Sequence, residues 1–247
     1  IASVVKVDDA KGEVAQRMRE RNVLEMPVVD SDGRLLGVIH YDALVDAIRD
    51  EATVDIQTMF GASKDERALS TALFSVKKRL PWMEINLLTA FLAAAVVGAF
   101  ESTIAKYTAL AVLLPVVAGQ SGNAGAQALA VTIRGLALRE FRTSQWLRVA
   151  VKELQVGLMN GIAIAITTGV VVMIWSGSVG LAGVIFISMI ISMVIAGVSG
   201  ALVPIVLSRL GQDPAQSSSI VLTTITDIFG FMSFLGIATL LASTLPT

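Results

Sequence analysis

Two long stretches without charge constrain this chain more than any other feature. Residues 154–208 contain 55 consecutive residues with no Asp, Glu, Lys or Arg, and residues 107–133 contain 27. A helix crosses the hydrocarbon core with about 20 apolar residues, so the longer stretch is sufficient for two crossings. Residues 81–247 hold only 13 of the 39 charged residues, which is too few to cover a water-soluble domain. This part of the chain therefore belongs in a membrane.

The gaps between charges predict five transmembrane helices. The first lies in 81–104 and the second in 107–133, and the long stretch divides at the turn-forming sequence 176–180. A fifth segment occupies 215–245, with Asp227 as its only charge. The predicted fold class is a mainly α-helical polytopic membrane protein.

The distribution of Lys and Arg predicts the orientation. The loops on the same side as residues 1–80 carry nine of these residues within reach of the spans, whereas the opposite loops carry only Lys106. The positive-inside rule then places residues 1–80 in the cytoplasm and the C-terminus outside. We therefore expect a multi-pass protein of the cell (inner) membrane.

The first 80 residues predict a small α/β portion and a charged helical connector. The expected order is strand, helix, two strands joined by the hairpin signal at 31–33, and a second helix. The corresponding ranges are 3–7, 10–21 (with Asp9 as a possible cap), 26–30, 35–39 and 42–51. Residues 53–80 form the connector, predicted as one helix, and the membrane part begins at Pro81.

Composition excludes several classes of function. The chain has no cysteine, and His40 is its only histidine, which excludes thiolate sites and makes a His-based metal site or a Ser-His-Asp triad implausible. A net charge of -1 without a basic stripe argues against nucleic-acid binding. An intramembrane aspartyl protease would need a second intramembrane Asp. The sequence therefore does not predict an enzyme.

Asp227 is the most informative single residue. It lies near the middle of an otherwise uncharged span, where a carboxylate costs about 2.5–3.5 kcal/mol on insertion scales. One interpretation is a cation site in a permeation path, with the hydroxyls of Thr223, Thr224 and Thr226 as further lining groups. The alternative is an Asp that is protonated or hydrogen-bonded internally and joins two helices.

The segment 115–127 is the second candidate. One proline, three glycines, and Gln, Ser and Asn side chains interrupt an apolar span, which predicts a break in the helix. Freed backbone oxygens suit hard cations, so Gly122, Asn123 and Gly125 are candidate pore-lining residues. The alternative is a set of small residues for close helix packing.

Acidic residues near the connector are the third candidate. Asp42, Asp46 and Asp50 recur every four residues and share one helical face, and Glu51 and Asp55 follow. Like charges at this spacing repel by roughly 0.2–0.5 kcal/mol per pair, and a bridging divalent cation would relieve the repulsion. The alternative is a solvated helix face. The same holds for Glu101 and Asp213, which lie near the membrane interfaces.

Three stretches together resemble the MgtE family of magnesium transporters and channels. They are "LLPVVAGQSGNAGAQALAVTIRGLALRE", "RLGQDPAQSSSIVLTTITDIFGF", and the CBS-like "MPVVDSDGRLLGVIHYDALVDAI" followed by "DEATVDI". The resemblance implies a homodimer with a pore on the dimer axis. It also implies a partial CBS domain in 1–52, a connecting (plug) helix in 53–80 and a five-helix pore domain in 81–247.

The resemblance also implies roles for individual residues. Asp227 matches the pore carboxylate, Thr223 a pore-lining position one turn earlier, and Asp213 a further ion contact. The magnesium-sensing acids of the family correspond to Asp46, Glu51 and Asp55. The chain departs from the family pattern at Ala43, Val54 and Ala126. His40 and Ala43 replace the Thr and Asp that often contact a nucleotide in CBS domains. We therefore do not expect nucleotide binding.

The sequence thus predicts a magnesium-selective channel or transporter gated by cytosolic Mg²⁺, with Mg²⁺ both transported and regulatory. Two alternatives remain at this point. One is a carrier that is proton-coupled or moves another divalent metal. The other is a membrane-anchored CBS sensor whose helices only transmit a signal.

Overall fold

A computed structural model describes residues 4–9, 11–138, 140–215 and 218–245, without the side chains of 49–56. The chain forms two compact units, 1–57 and 58–247. The elements in chain order are β1 (Val5–Lys6), α1 (Lys11–Glu20), β2 (Glu25–Val29), β3 (Leu35–His40), α2 (Tyr41–Met59), α3 (Ala72–Ala99), α4 (Glu101–Lys106), α5 (Ala109–Ala137), α6 (Trp146–Ser176), α7 (Val179–Arg209) and α8 (Ser218–Leu240). Short 3-10 turns occupy Thr143–Gln145 and Ala242–Thr244.

The first unit is a three-stranded sheet with a small apolar core. Strand β1 pairs in parallel with β2, and β2 pairs antiparallel with β3. The β2–β3 turn closes because the Asp30 carboxylate accepts hydrogen bonds from the backbone N–H groups of Asp32 (2.9 Å) and Arg34 (2.8 Å). Gly33 supplies the left-handed conformation there, with φ of 79°. The α/β portion predicted from the sequence is confirmed.

Helices α1 and α2 pack on this sheet through apolar side chains. The fully buried members of the core are Val5, Val14, Met18, Met26 and Leu44. At the start of α1, the Asp9 carboxylate accepts from the N–H of Lys6 (3.1 Å) and pairs with Arg17 (3.1 Å). These contacts lower the pKa of Asp9, chiefly through the Lys6 N–H.

The connector differs from its prediction. Helix α2 continues to Met59, α3 begins at Ala72, and a segment containing Gly61 (φ of 77°) lies between them. The prediction of one helix over 53–80 is therefore wrong, because the left-handed conformation of Gly61 is incompatible with a helix and lies eleven residues before α3 begins. The predicted boundary at Pro81 falls inside α3, which accommodates a proline within its third turn.

The second unit has five helices long and apolar enough to cross a membrane, α3, α5, α6, α7 and α8. This confirms the five predicted spans within the described residues. Helix α7 contacts α5, α6 and α8, and α3 packs mainly on α8 and leaves most of its surface exposed.

Glycines allow α7 to lie close to its neighbours. A Cβ on Gly157 of α6 would come within 2.9 Å of the Met193 carbonyl oxygen of α7. On the other side of α7, a Cβ on Gly200 would overlap the Gly125 carbonyl oxygen and approach the Ala128 Cβ to 2.9 Å. Close backbone approach of this kind replaces hydrophobic driving force as the source of cohesion between helices in lipid.

A two-residue turn joins α6 to α7, as the sequence at 176–180 predicts. Gly177 ends α6 in the left-handed conformation, with φ of 65°. Ser178 caps α7, because its hydroxyl accepts a hydrogen bond from the Leu181 N–H at 3.2 Å.

Helix α5 is continuous, which corrects the expected break at 115–127. It runs from Ala109 to Ala137 with Pro115 inside it. Pro115 lies in the second turn, where a missing N–H costs one hydrogen bond without ending the helix. The Ser121 hydroxyl donates to the Val117 carbonyl at 2.8 Å, inside the helix itself. Gly125 serves packing, as the alternative held.

We expect Gly200→Ala to lower the free energy of unfolding by about 1–3 kcal/mol, the usual cost of overpacking, because the new methyl group must displace α5. The measurement is thermal unfolding in detergent. Gly183→Ala is the matched control, since Gly183 is also in α7 and has no atom within 4 Å of its Cβ position. Equal stability of the two variants would contradict the packing role of Gly200.

Candidate ion-binding site

Helix α8 places the predicted pore residues on adjacent turns. Thr223 is exposed and its hydroxyl donates to the Ser219 carbonyl at 2.8 Å, while Asp227 is half-buried one turn later. Thr226 is buried and donates to the Thr223 carbonyl at 3.0 Å. Hydroxyls that bond to the preceding turn are compatible with a helix, so Thr223 and Thr226 do not interrupt α8. Asp227 and Thr223 thus share one face of α8.

The Asp227 carboxylate has no hydrogen-bond or ion-pair partner among the described residues. The hydroxyls around Gly230, three residues further along α8, are engaged with other groups: Ser192 and Ser233 bond to each other at 3.0 Å, and Ser121 bonds within α5. A half-buried carboxylate without a partner inside a membrane span requires water, an ion or another chain.

A cavity of about 600 Å³ adjoins this face, and we call it the main cavity. Thr223 of α8, Gly122 and Ala126 of α5, and Arg79 and Trp82 of α3 line it. Gly122 has no atom within 4 Å of a Cβ position, so its surface is open. The hydroxyl oxygen of Thr223, of the kind that hard cations bind, therefore lies on a helix face that borders the cavity.

The other two candidate pore residues lie differently. Asn123 is exposed on α5. Gly125 is buried, with Leu222 Cδ1 at 3.0 Å and the Ala196 carbonyl oxygen at 3.3 Å from its Cβ position. The structure therefore gives Gly125 a packing contact and leaves Gly122 and Asn123 accessible.

The remaining predicted ligands are Asp213 in the second unit and Asp46, Glu51 and Asp55 in the first. Asp213 is exposed in the loop before α8 and accepts from the Ala215 N–H at 2.9 Å. Asp46 is exposed on α2, and Glu51 and Asp55 lie outside the described side chains. No group of three acidic or histidine side chains that could hold a metal occurs among the described residues.

Two ion pairs were not anticipated from the sequence. Glu153 of α6 is buried and contacts Lys152 at 2.5 Å, beside a second cavity of about 180 Å³ between α5, α6 and α7. Glu66 is also buried and pairs with Arg79. The only sequence signal for Glu153 is its position directly before the 55-residue uncharged stretch.

Comparison with known sequences decides the family. The sequence model described as "MgtE: Divalent cation transporter" matches residues 114–237, and the CBS-domain model matches residues 3–50. The chain belongs to the MgtE family of divalent cation transporters. Asp227 and Thr223 of the candidate site both lie inside the family match.

Three curated relatives are each named "Magnesium transporter MgtE". The chain is 33% identical to that of Enterococcus faecalis over 236 residues, 34% to that of Thermus thermophilus over 240, and 31% to that of Bacillus subtilis over 227. These matches cover 92–96% of the chain and 50–53% of the relatives. The chain therefore spans about half the length of the relatives that it matches. Like them, this MgtE chain is a multi-pass protein of the cell membrane.

We expect Gly122→Leu to reduce divalent cation flux to about a tenth or less, because a branched side chain would project from α5 into the main cavity. Flux into liposomes measures the effect. Gly98→Leu of α3 is the control, since Gly98 likewise has no atom within 4 Å of its Cβ position but does not line the cavity. Normal flux through the Gly122 variant would remove this face of α5 from the path.

Proposed function

We propose that this chain forms half of a magnesium-selective channel or transporter, in which two copies surround a path lined by α5 and α8. The observation that carries the proposal is the half-buried Asp227 carboxylate, which has no partner among the described residues although it lies inside a membrane span. The relatives named as magnesium transporters support Mg²⁺ as the substrate.

The exposed polar face of α5 supports a homodimer. Gln120, Asn123 and Gln127 are exposed in the single chain. Amide groups facing hydrocarbon without a partner cost several kcal/mol each, on the order of an unsatisfied backbone group, so these residues require a cover that supplies hydrogen bonds or water. A second copy related by a twofold axis would provide that cover and would bring two Asp227 carboxylates to one site.

Two carboxylates match the chemistry of a hydrated divalent cation. Mg²⁺ dehydrates reluctantly and usually keeps several waters, so a wide site that contacts the ion through its water shell suits it. Asp227 would supply charge, Thr223 would supply an oxygen atom, and Gly122, which has no side chain, would leave space for the ion and its waters. Inward movement needs no ATP, because the membrane potential contributes about 4.6 kcal/mol per 100 mV to a divalent cation.

The central test of this function is Asp227→Asn. The amide keeps the shape of the side chain and removes its charge, so we expect the protein to remain folded and dimeric while Mg²⁺ uptake into liposomes falls at least about tenfold. Glu84→Gln is the matched control, because Glu84 is an exposed acid of α3, which is not one of the two helices proposed to line the path. Unchanged uptake in the Asp227 variant at equal protein levels would exclude the pore assignment.

The same liposomes separate the alternatives. A proton-coupled carrier would lose uptake when the pH gradient is collapsed, whereas a channel would not. A membrane-anchored sensor would show no flux in any variant. Competition by Co²⁺, Ni²⁺ or Mn²⁺ measures the selectivity among divalent ions.

We further propose that cytosolic Mg²⁺ closes the path through the acids of α2. This helix is continuous over Tyr41–Met59, so Asp42, Asp46 and Asp50 lie on one face at four-residue spacing. Without Mg²⁺ these acids and the following Glu51 and Asp55 repel one another and any acidic surface that faces them. Bound ions would shift the population to a compact, closed arrangement, and about 2–3 kcal/mol is sufficient for that shift.

Limited proteolysis tests this regulation. Trypsin cleaves at exposed basic residues, and Lys64 and Arg67 are exposed in the segment between α2 and α3. We expect millimolar Mg²⁺ to slow cleavage there in the wild type. Neutralising Asp46, Glu51 and Asp55 together should abolish the protection while Asp227 continues to conduct. Equal protection in both proteins would identify these acids as a solvated face.

A further inference from the structure

A buried carboxylate neutralises the one arginine that lines the main cavity among the described residues. Glu66 lies in the segment between α2 and α3, and its side chain is 6% exposed. Its two oxygens accept hydrogen bonds from Arg79 of α3, Oε2 from Nε at 3.0 Å and Oε1 from Nη2 at 2.5 Å. This two-pronged geometry is the strongest form of an arginine–carboxylate pair.

The two partners of the pair differ in their surroundings. The side chain of Arg79 is 57% exposed and lines the main cavity together with Thr223, Gly122 and Ala126. Glu66 is buried and does not line the cavity. The Arg79 guanidinium and the Ser75 side chain lower the pKa of Glu66, so the carboxylate remains ionised at neutral pH.

An unpaired guanidinium in this position would oppose cation passage. Positively charged side chains that line a pore favour anions and repel cations, and a low-dielectric wall strengthens the effect. Glu66 cancels this charge without lining the cavity itself.

We propose that Glu66 is a positioning and charge-compensating residue that prevents Arg79 from making the main cavity repel cations and favour anions. The effect of Glu66 on Mg²⁺ flux rests on the proposed function, whereas its effect on the concentration of ions inside the main cavity does not. The chemical class of ligand admitted is a small hydrated cation.

The chain contains a matched control pair one residue away. Asp65 and Lys78 are joined at 3.2 Å, with side chains that are 56% and 41% exposed. The two pairs connect the same segment to the same helix, yet neither Asp65 nor Lys78 lines the main cavity. Asp65→Asn therefore removes an equal charge from the same region without unmasking Arg79.

Trp82 provides a direct probe, because it lines the same cavity and is half-buried. In a variant whose other tryptophans, Trp146 and Trp175, are replaced by Phe, quenching of its fluorescence by iodide and by caesium reports the sign of the local potential. One uncompensated charge at this range changes the local concentration of a monovalent ion about twofold, in opposite directions for the two quenchers.

We expect Glu66→Gln to raise the ratio of iodide to caesium quenching about fourfold at low ionic strength, with the difference lost near 1 M salt. Arg79→Gln should move the ratio in the opposite direction. The double variant, which keeps both side-chain shapes without charge, should restore the wild-type ratio. Asp65→Asn should leave it unchanged.

Flux adds the functional readout. A divalent ion responds with the square of the monovalent factor, so we expect Mg²⁺ uptake to fall about fourfold in Glu66→Gln and to recover in the double variant. Equal changes in quenching by both ions, or a double variant that resembles Glu66→Gln, would show a structural ion pair only and overturn the proposal. If the wild type takes up no Mg²⁺, the proposed function fails, while the quenching ratio still decides the role of Glu66.

Discussion

The close approach of α7 to its neighbours is the constraint on which the rest of the membrane unit depends. Lipid tails are as apolar as the helix surfaces, so burial of apolar area alone gives little preference for association inside a bilayer. Glycines at the contacts with α5 and α6 allow backbone atoms to touch, and dispersion contacts then hold the helices. Helix α8, which carries Asp227, is fixed by the same central helix.

This arrangement separates stability from chemistry along α5. The side of the helix that faces α7 carries buried small and apolar residues, among them Gly125 and Ala128. The side that faces the main cavity carries Gly122 and Ala126, and the amides of Asn123 and Gln127 remain exposed. An unbroken helix can therefore present polar groups at membrane depth while its backbone remains internally hydrogen-bonded.

The distribution of charge along the sequence was sufficient to predict the membrane spans. Features that depend on local backbone geometry could not be predicted in the same way. Uncharged stretches are long compared with any error in a helix boundary, so the five spans and the turn at Gly177 follow from the sequence. The helix break at 115–127 was wrong because glycine and proline favour several outcomes, and only the neighbouring helix determines which one applies. The sequence also could not show that the helix of the connector is interrupted at Gly61, since glycine adopts left-handed geometry only where the fold requires it.

The candidate site divides in the same way. A lone carboxylate in an apolar span makes Asp227 a candidate without any structure, and Thr223 is a candidate because its hydroxyl lies one turn earlier. The ion pair between Glu66 and Arg79 could not be predicted, because the thirteen-residue separation between them includes a turn whose path the sequence does not specify. The match to known sequences adds the family, divalent cation transporters, which neither composition nor geometry contains.

The turn at Gly177 and Ser178 has a consequence for biogenesis. Helices α6 and α7 are joined by only these two residues, and no charged side chain occurs between Leu154 and Ser208. The connection carries no charged group that would have to lose its water when it crosses the bilayer. Gly177 and Ser178 cap the adjoining helix ends and provide hydrogen bonds there. The two helices can therefore insert together as a preformed hairpin, which gives the nascent chain its most packed helix pair before α8 and Asp227 have been synthesised.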